Sequence, residues 1–123
     1  MEAVLTKKSL ELRSDGTCFR DYIYIKDVIN GYYFLLTHSD HVLGEAFNVS
    51  SEYSDTVVGL IKVIQKTLKK KIVYCTKNTA VNEIPIQHLD CTKIRKLGWE
   101  PKYSIHRAIL ETYKWYKNYF RSI

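Results

Sequence analysis

The stretch Asp15-Gly16-Thr17-Cys18-Phe19-Arg20-Asp21-Tyr22-Ile23-Tyr24-Ile25-Lys26-Asp27-Val28 decides the reading of this chain. Its Asp-Gly opening is turn chemistry, since glycine reaches backbone conformations closed to other residues. Tyr22-Ile23-Tyr24-Ile25 follows as a strand, rich in β-branched and aromatic side chains. Asp27 stands where a carboxylate caps the unpaired amides of a first helical turn. That helix is expected to reach about Thr37, with Val28, Ile29, Tyr32, Leu35 and Leu36 as its apolar set. The pair Arg20-Asp21 sits at the strand entrance. On the residues alone, Arg20 reads as a surface ion pair with Asp21 or Asp15.

Working outward, Leu10-Glu11-Leu12-Arg13 alternates and reads as a strand. Ala46-Phe47-Asn48-Val49 reads as a short buried strand flanked by helices, as in a parallel sheet. It has no parallel neighbours in the chain and looks like one strand of a larger sheet. Ser54-Asp55 is expected to cap a helix whose stripe is Val57, Leu60, Ile61, Ile64 and Leu68. Lys71 to Cys75 reads as another strand, and Thr76 to Leu89 is irregular and polar. Asp90 is expected to cap a short helix from Cys91 to Leu97, closed by Gly98 and stopped by Pro101. Ser104 caps the last helix, carrying Ile105, Ala108, Ile109, Thr112, Tyr116 and Phe120 at helical spacing. Strands alternating with helices predict an α/β unit, a small mixed sheet with about four helices.

With 123 residues, 46% hydrophobic and 26% charged, the chain reads as one globular domain over 1–123. No apolar run approaches the ~20 residues of a membrane span, and the N-terminus lacks a signal-peptide pattern. Cys18, Cys75 and Cys91 are odd in number without C-x-x-C spacing, which predicts reduced thiols and a cytoplasmic location. The net charge of +6 gathers at Lys62, Lys66, Lys69, Lys70, Lys71 and Lys77. A solvated helix end accounts for it. No nucleic-acid motif accompanies it, so nucleic acid is not an expected partner. Attraction for anionic ligands, nucleotides included, is compatible with the charge.

Several motif matches carry nothing. Tyr22…Lys26 and Tyr113…Lys117 both fit Y-x-x-x-K, but the five glycines form no phosphate loop after a strand. His38, Asp40 and His41 read as a polar surface loop rather than metal ligands. Asn48-Val49-Ser50 is a glycosylation sequon in form only, in a segment expected to be buried. No catalytic residue and no metal site is assigned.

Four segments in series resemble one family. Phe19-Arg20-Asp21-Tyr22-Ile23-Tyr24-Ile25-Lys26-Asp27-Val28 resembles the R-D-[FY]-x-[YH]-V-x-D signature of extended short-chain dehydrogenases/reductases acting on nucleotide sugars. G-E-A-F-N-V-S-S, from Gly44, resembles that family's G-x-x-[FY]-N strand. L-D-C-T-K-I-R-K-L-G-W-E-P, from Leu89, resembles its helix-and-turn segment, and Y-K-W-Y-K-N-Y-F, from Tyr113, its closing helix. The wording leans to CDP-glucose and GDP-mannose 4,6-dehydratases.

The resemblance implies the C-terminal substrate-binding portion of an NAD-dependent epimerase/dehydratase, lacking the Rossmann half with its cofactor loop and Tyr-Lys pair. This chain is then expected to bind no cofactor itself, NAD or NADP being implied for the intact enzyme, and to catalyse nothing alone. In the family the reaction begins with oxidation at C4 of the sugar. The segment Ala46 to Val49 would return to the Rossmann sheet. Expected partners are a nucleotide-diphosphate sugar, a separate N-terminal Rossmann polypeptide, and further copies through exposed apolar surface.

The resemblance also assigns Arg20 to the substrate pyrophosphate, which suits the rigid donor fork of a guanidinium. Asp21 becomes structural and Asp27 and Asp90 helix caps. Many relatives carry R-x-G-D before the last cap. Here Ala80 takes the Arg position, Asn82 the Gly and Glu83 the Asp. Losing one charge-assisted contact costs roughly 1.5–3 kcal/mol. Lys77 is the expected substitute, as a point charge.

Overall fold

The computed structural model describes residues 1–38, 40 and 42–122. The elements in chain order are α1 (Glu2–Thr6), β1 (Leu10–Leu12), β2 (Phe19–Asp21), α2 (Ile25–Thr37), β3 (Ser54–Thr56), α3 (Val57–Leu68), β4 (Tyr74–Thr76), α4 (Thr92–Lys96) and α5 (Ile105–Tyr119). The strands form two separate ladders instead of one mixed sheet. β1 runs parallel to β4, with Leu10 opposite Tyr74 and Leu12 opposite Thr76. β2 runs antiparallel to β3, with Arg20 opposite Asp55. A lone parallel bridge joins Phe19 to Ile86.

The strand expected at Tyr22 to Ile25 lies three residues earlier. Phe19–Asp21 is the part of the stretch that finds a backbone partner, in Ser54–Thr56, and the helix already begins at Ile25. Asp27 is therefore not the cap. The cap position falls on Tyr24, which makes no side-chain bond, and Asp27 lies inside the first turn. The residue is 1% exposed, and its carboxylate accepts the backbone N–H groups of Lys102 at 2.8 Å and Tyr103 at 3.2 Å. A buried carboxylate needs such donors, and here it ties the start of α2 to the approach of α5.

Ala46 to Val49 forms no strand. A ladder requires a backbone in register alongside, and no strand among the described residues pairs with this segment. Phe47 and Val49 pack instead on a core of Cys91, Ile94 and Trp99, together with Ile23, Phe34 and Leu35. Asn48 is exposed between them, its amide donating to the Asp90 carbonyl at 3.0 Å. Gly31 makes the close approach possible, since a Cβ there would stand 3.1 Å from Val49 Cγ1.

A second core gathers Val4, Leu12, Ile61 and Ile72 from α1, β1, α3 and the approach to β4. The short helix α1 was not anticipated; Val4 is its buried contribution. The cap of α3 is Thr56, whose hydroxyl accepts from Gly59 N–H at 2.9 Å, because Ser54 and Asp55 belong to β3. Asp90 acts one position outside the expected place. Its carboxylate accepts from Thr92 N–H at 2.8 Å, ahead of Cys91 at the formal cap. The Thr92 hydroxyl and amide hold its pKa below the usual carboxylate value. Gly98, with φ of 102°, takes the left-handed turn that ends α4, and Ser104 caps α5 through Arg107 N–H at 3.3 Å.

Candidate anion-binding site

Alternation along β2 sends Arg20 and Asp21 to opposite faces. Asp21 turns inward. Its carboxylate accepts the Ser50 hydroxyl at 2.6 Å and Leu89 N–H at 3.2 Å, and its side chain is 5% exposed. Asp15 is occupied by Thr17, whose amide and hydroxyl lie 2.8 and 2.7 Å away and lower its pKa. Neither aspartate therefore takes Arg20.

The guanidinium is held from elsewhere. Arg20 Nη1 donates to the carbonyls of Phe19 at 2.8 Å and Ile84 at 2.7 Å, while Nη2 meets Glu83 Oε2 at 2.6 Å. A guanidinium has five N–H donors, so these bonds leave two free. The group faces a pocket of about 280 Å³ shared with Glu11, Arg13, Ser14 and Glu83. Arg20 and Glu83, 63 positions apart, are thus brought together. Lys77 is not in direct contact with either. Its ammonium meets Glu11 Oε2 at 2.7 Å, which raises its pKa, and it reaches the pocket only through Glu11.

Arg13 is the residue the motif reading missed. It directly follows β1, and its carbonyl accepts Thr79 N–H at 2.7 Å and Ala80 N–H at 3.0 Å. The alternation Leu10-Glu11-Leu12-Arg13 held the signal, because period two places Arg13 on the face of Glu11.

A larger pocket, about 600 Å³, opens between α2 and α5 against Ile23, Ile25, Ile29, Trp115 and Tyr116. It is mainly apolar and offers one charged group, Lys26. That ammonium is committed to Glu111 Oε2 at 2.6 Å, beside the Tyr24 hydroxyl at 3.2 Å, while Arg107 takes the other carboxylate oxygen at 3.3 Å. Lys26 is thereby tied across to α5. The smaller pocket is the one that carries a guanidinium with free donors.

His38 stacks on Phe34 with ring centroids 4.1 Å apart, and its Nδ1 lies 2.8 Å from the Phe34 carbonyl. His41, the other imidazole of the metal motif considered above, lies outside the described residues. Among the described residues no three His, Cys, Asp or Glu side chains gather as a metal site, and no helix is long and apolar enough to cross a membrane.

Comparison with known proteins gives this geometry a context. Residues 1–50 match the model of the NAD dependent epimerase/dehydratase family. The chain is 27% identical over 103 residues to a probable GDP-L-fucose synthase 1 of Oryza sativa subsp. japonica, covering 82% of this chain and 30% of that protein. It is 28% identical over 122 residues to the dTDP-glucose 4,6-dehydratase of Haemophilus influenzae, covering 89% and 36%. The chain thus spans about a third of the length of these curated relatives. Among solved structures, a UDP-glucose 4-epimerase of Thermotoga maritima with UDP-glucose superposes with a TM-score of 0.80 at 26% identity, covering 97% of this chain and 38% of that one. A UDP-glucose-4-epimerase of Stenotrophomonas maltophila with bound NAD reaches 0.88 at 19% identity, covering 99% and 39%. The fold is that of the C-terminal portion of such NAD-dependent epimerase structures.

Proposed function

We propose that this chain is the nucleotide-sugar-binding portion of an NAD(P)-dependent sugar epimerase or 4,6-dehydratase, and that it grips substrate without turning it over alone. The observation that supports this most is Arg20. Its guanidinium is locked by two carbonyls and Glu83, retains two free donors, and faces a concave polar pocket. The sequence similarity points the same way, towards proteins named for nucleotide-sugar chemistry.

In this reading the free donors of Arg20 meet the diphosphate, where charge-assisted bonds are strongest. Glu83 fixes the plane of the guanidinium, so the fork is set before ligand arrives, and Lys77 with Glu11 forms the outer rim. NAD(P), when bound by the intact enzyme, supplies the hydride acceptor for oxidation at C4. The residues named here bind and orient.

The test is a ¹H–¹⁵N correlation spectrum titrated with CDP-glucose, GDP-mannose and UDP-glucose. The motif wording ranks the first two ahead of the third. Localised shifts at Phe19–Asp21 and Glu83–Ile84, lost in Arg20→Ala, are expected. A dispersed spectrum unmoved by all three would refute the binding reading. Turnover of any of them by purified chain with NAD would refute the non-catalytic part.

A second reading is a non-catalytic module that completes a separate Rossmann polypeptide in the cytoplasm. It is favoured by the outer face of α2, where Ile25, Ile29, Tyr32, Tyr33 and Leu36 are each 59–74% exposed. Recovery of dehydratase or epimerase activity on mixing the two chains, and in neither alone, is its test.

A further inference from the structure

We propose that Arg13 is the second cationic contact of the diphosphate, an inference that rests on reading the Arg20 pocket as a diphosphate grip. Three observations carry it. First, Arg13 and Arg20 line the same pocket, with the Ser14 hydroxyl beside them. Secondly, the two guanidiniums differ in their commitments. Arg20 is held by Glu83 and two carbonyls. Arg13 has no side-chain acceptor and no acid partner among the described residues, although Glu11 stands two positions before it. Glu11 is taken by Lys77 at 2.7 Å. The pocket thus keeps one cation with its whole donor fork open.

Thirdly, the backbone fixes where that fork starts. The Arg13 carbonyl accepts the amides of Thr79 and Ala80, which holds the backbone of Arg13 against the loop that leads to Glu83, and Arg13 and Glu83 line the same pocket. A diphosphate spreads its charge over two phosphorus centres. One guanidinium satisfies one phosphate bidentately, and a second cation in the same pocket suits the neighbouring one. Lys77 is the weaker candidate because Glu11 already neutralises it.

The test measures pyrophosphate, UDP and UMP binding calorimetrically at fixed ionic strength, for wild type, Arg13→Ala, Arg13→Lys and Arg20→Ala, with circular dichroism confirming the fold of each. Pyrophosphate removes the base from the comparison, and UMP removes one phosphate. Arg13→Ala is expected to weaken pyrophosphate and UDP about tenfold to a hundredfold and UMP by less than threefold, with Arg13→Lys in between. Wild-type affinity for UDP in Arg13→Ala, with loss in Arg20→Ala, would overturn this inference and leave the diphosphate grip standing. An equal loss for UMP and UDP would overturn it too, since the contact would not belong to the second phosphate. Absence of any binding by the wild type would overturn the grip itself, and this inference with it.

Discussion

The Ser50 hydroxyl, fully buried, donates to the carboxylate of Asp21 at 2.6 Å. The same carboxylate accepts Leu89 N–H, so one side chain of β2 ties down both the segment before β3 and the segment before α4. Asp21 serves the fold and Arg20 the pocket, because neighbouring positions on a strand face opposite ways. Replacing Asp21 by Ala strands a buried hydroxyl and an amide. The expected loss is about 2–4 kcal/mol, on the cost of unpaired buried polar groups. Urea unfolding checks it, and an unchanged midpoint would contradict the role.

Asp27 makes a comparable tie between the start of α2 and the approach to α5. Asp27→Ala leaves the amides of Lys102 and Tyr103 without acceptors, and about 2–4 kcal/mol of stability is expected to go with them. Asp27→Asn keeps one acceptor oxygen and should lose less. Equal losses for the two variants would mean that charge, rather than acceptor number, holds the turn.

Arg20→Lys preserves charge but not the fork. A lysine ammonium cannot hold Phe19 O, Ile84 O and Glu83 together while offering two further donors. Affinity for UDP is expected to fall about tenfold to a hundredfold. Calorimetry showing wild-type affinity in the lysine variant would place the recognition in net charge alone.

The Lys26–Glu111 pair predicts a pH dependence on two limbs. The Lys26 hydrogen bond lowers the Glu111 pKa below its ordinary 4.5, so this stability is present above 4.5 and lost as pH falls through the lowered value. The Glu111 hydrogen bond raises the Lys26 pKa above 10.5, so its share is present below 10.5 and lost as pH rises through the raised value. Burial, followed by the hydrogen bond to Asp55, pushes Tyr53 from 10 up to about 12. The unfolded chain then releases that proton first, and stability declines between those pH values. Melting temperature against pH should show both limbs flattened in Glu111→Gln, and the alkaline decline reduced in Tyr53→Phe. Unaltered profiles would sink the assignment.

The outer face of α2 predicts association. With Ile25, Ile29, Tyr32, Tyr33 and Leu36 exposed along about three turns, an apolar stripe of this kind is uncommon on a monomer. Light scattering should report a mass that rises with concentration, and Ile29→Lys should suppress the rise. A concentration-independent monomer would oppose this.

Much of the architecture was legible in the residues. The periodicity of Val57 to Leu68 and of Ile105 to Phe120 located α3 and α5, Ser104 announced its cap, and Gly98 announced the end of α4. The errors share a cause. Strand position at Tyr22 to Ile25, and strand identity at Ala46 to Val49, depend on which backbone lies alongside, and propensity carries no information about a neighbour distant in sequence. Asp27 resembles a cap because a carboxylate near a helix start has the same local signature whether it turns to its own helix or to Lys102. In the candidate site, Arg20 stood out through its motif and Glu83 through its place in the aligned R-x-G-D segment, and the fold brings the two into contact. Arg13 was hidden because nothing local distinguishes a pocket arginine from a solvated one. Its place beside Arg20 and Glu83 shows only in the folded chain.

The two apolar clusters share no residue: Val4, Leu12, Ile61 and Ile72 form one, and Cys91, Ile94 and Trp99 the other. Arg13 continues a strand anchored in the first, while the strand of Arg20 leads into Ile23, which packs on the second. Protection against amide hydrogen exchange should therefore divide into two cooperative units. The pocket draws Leu12 and Val57 from the first cluster and Arg20 from the strand that leads to the second. A diphosphate held by Arg13 and Arg20 would couple the units, so that ligand raises protection in both cores at once, including at amides far from any phosphate.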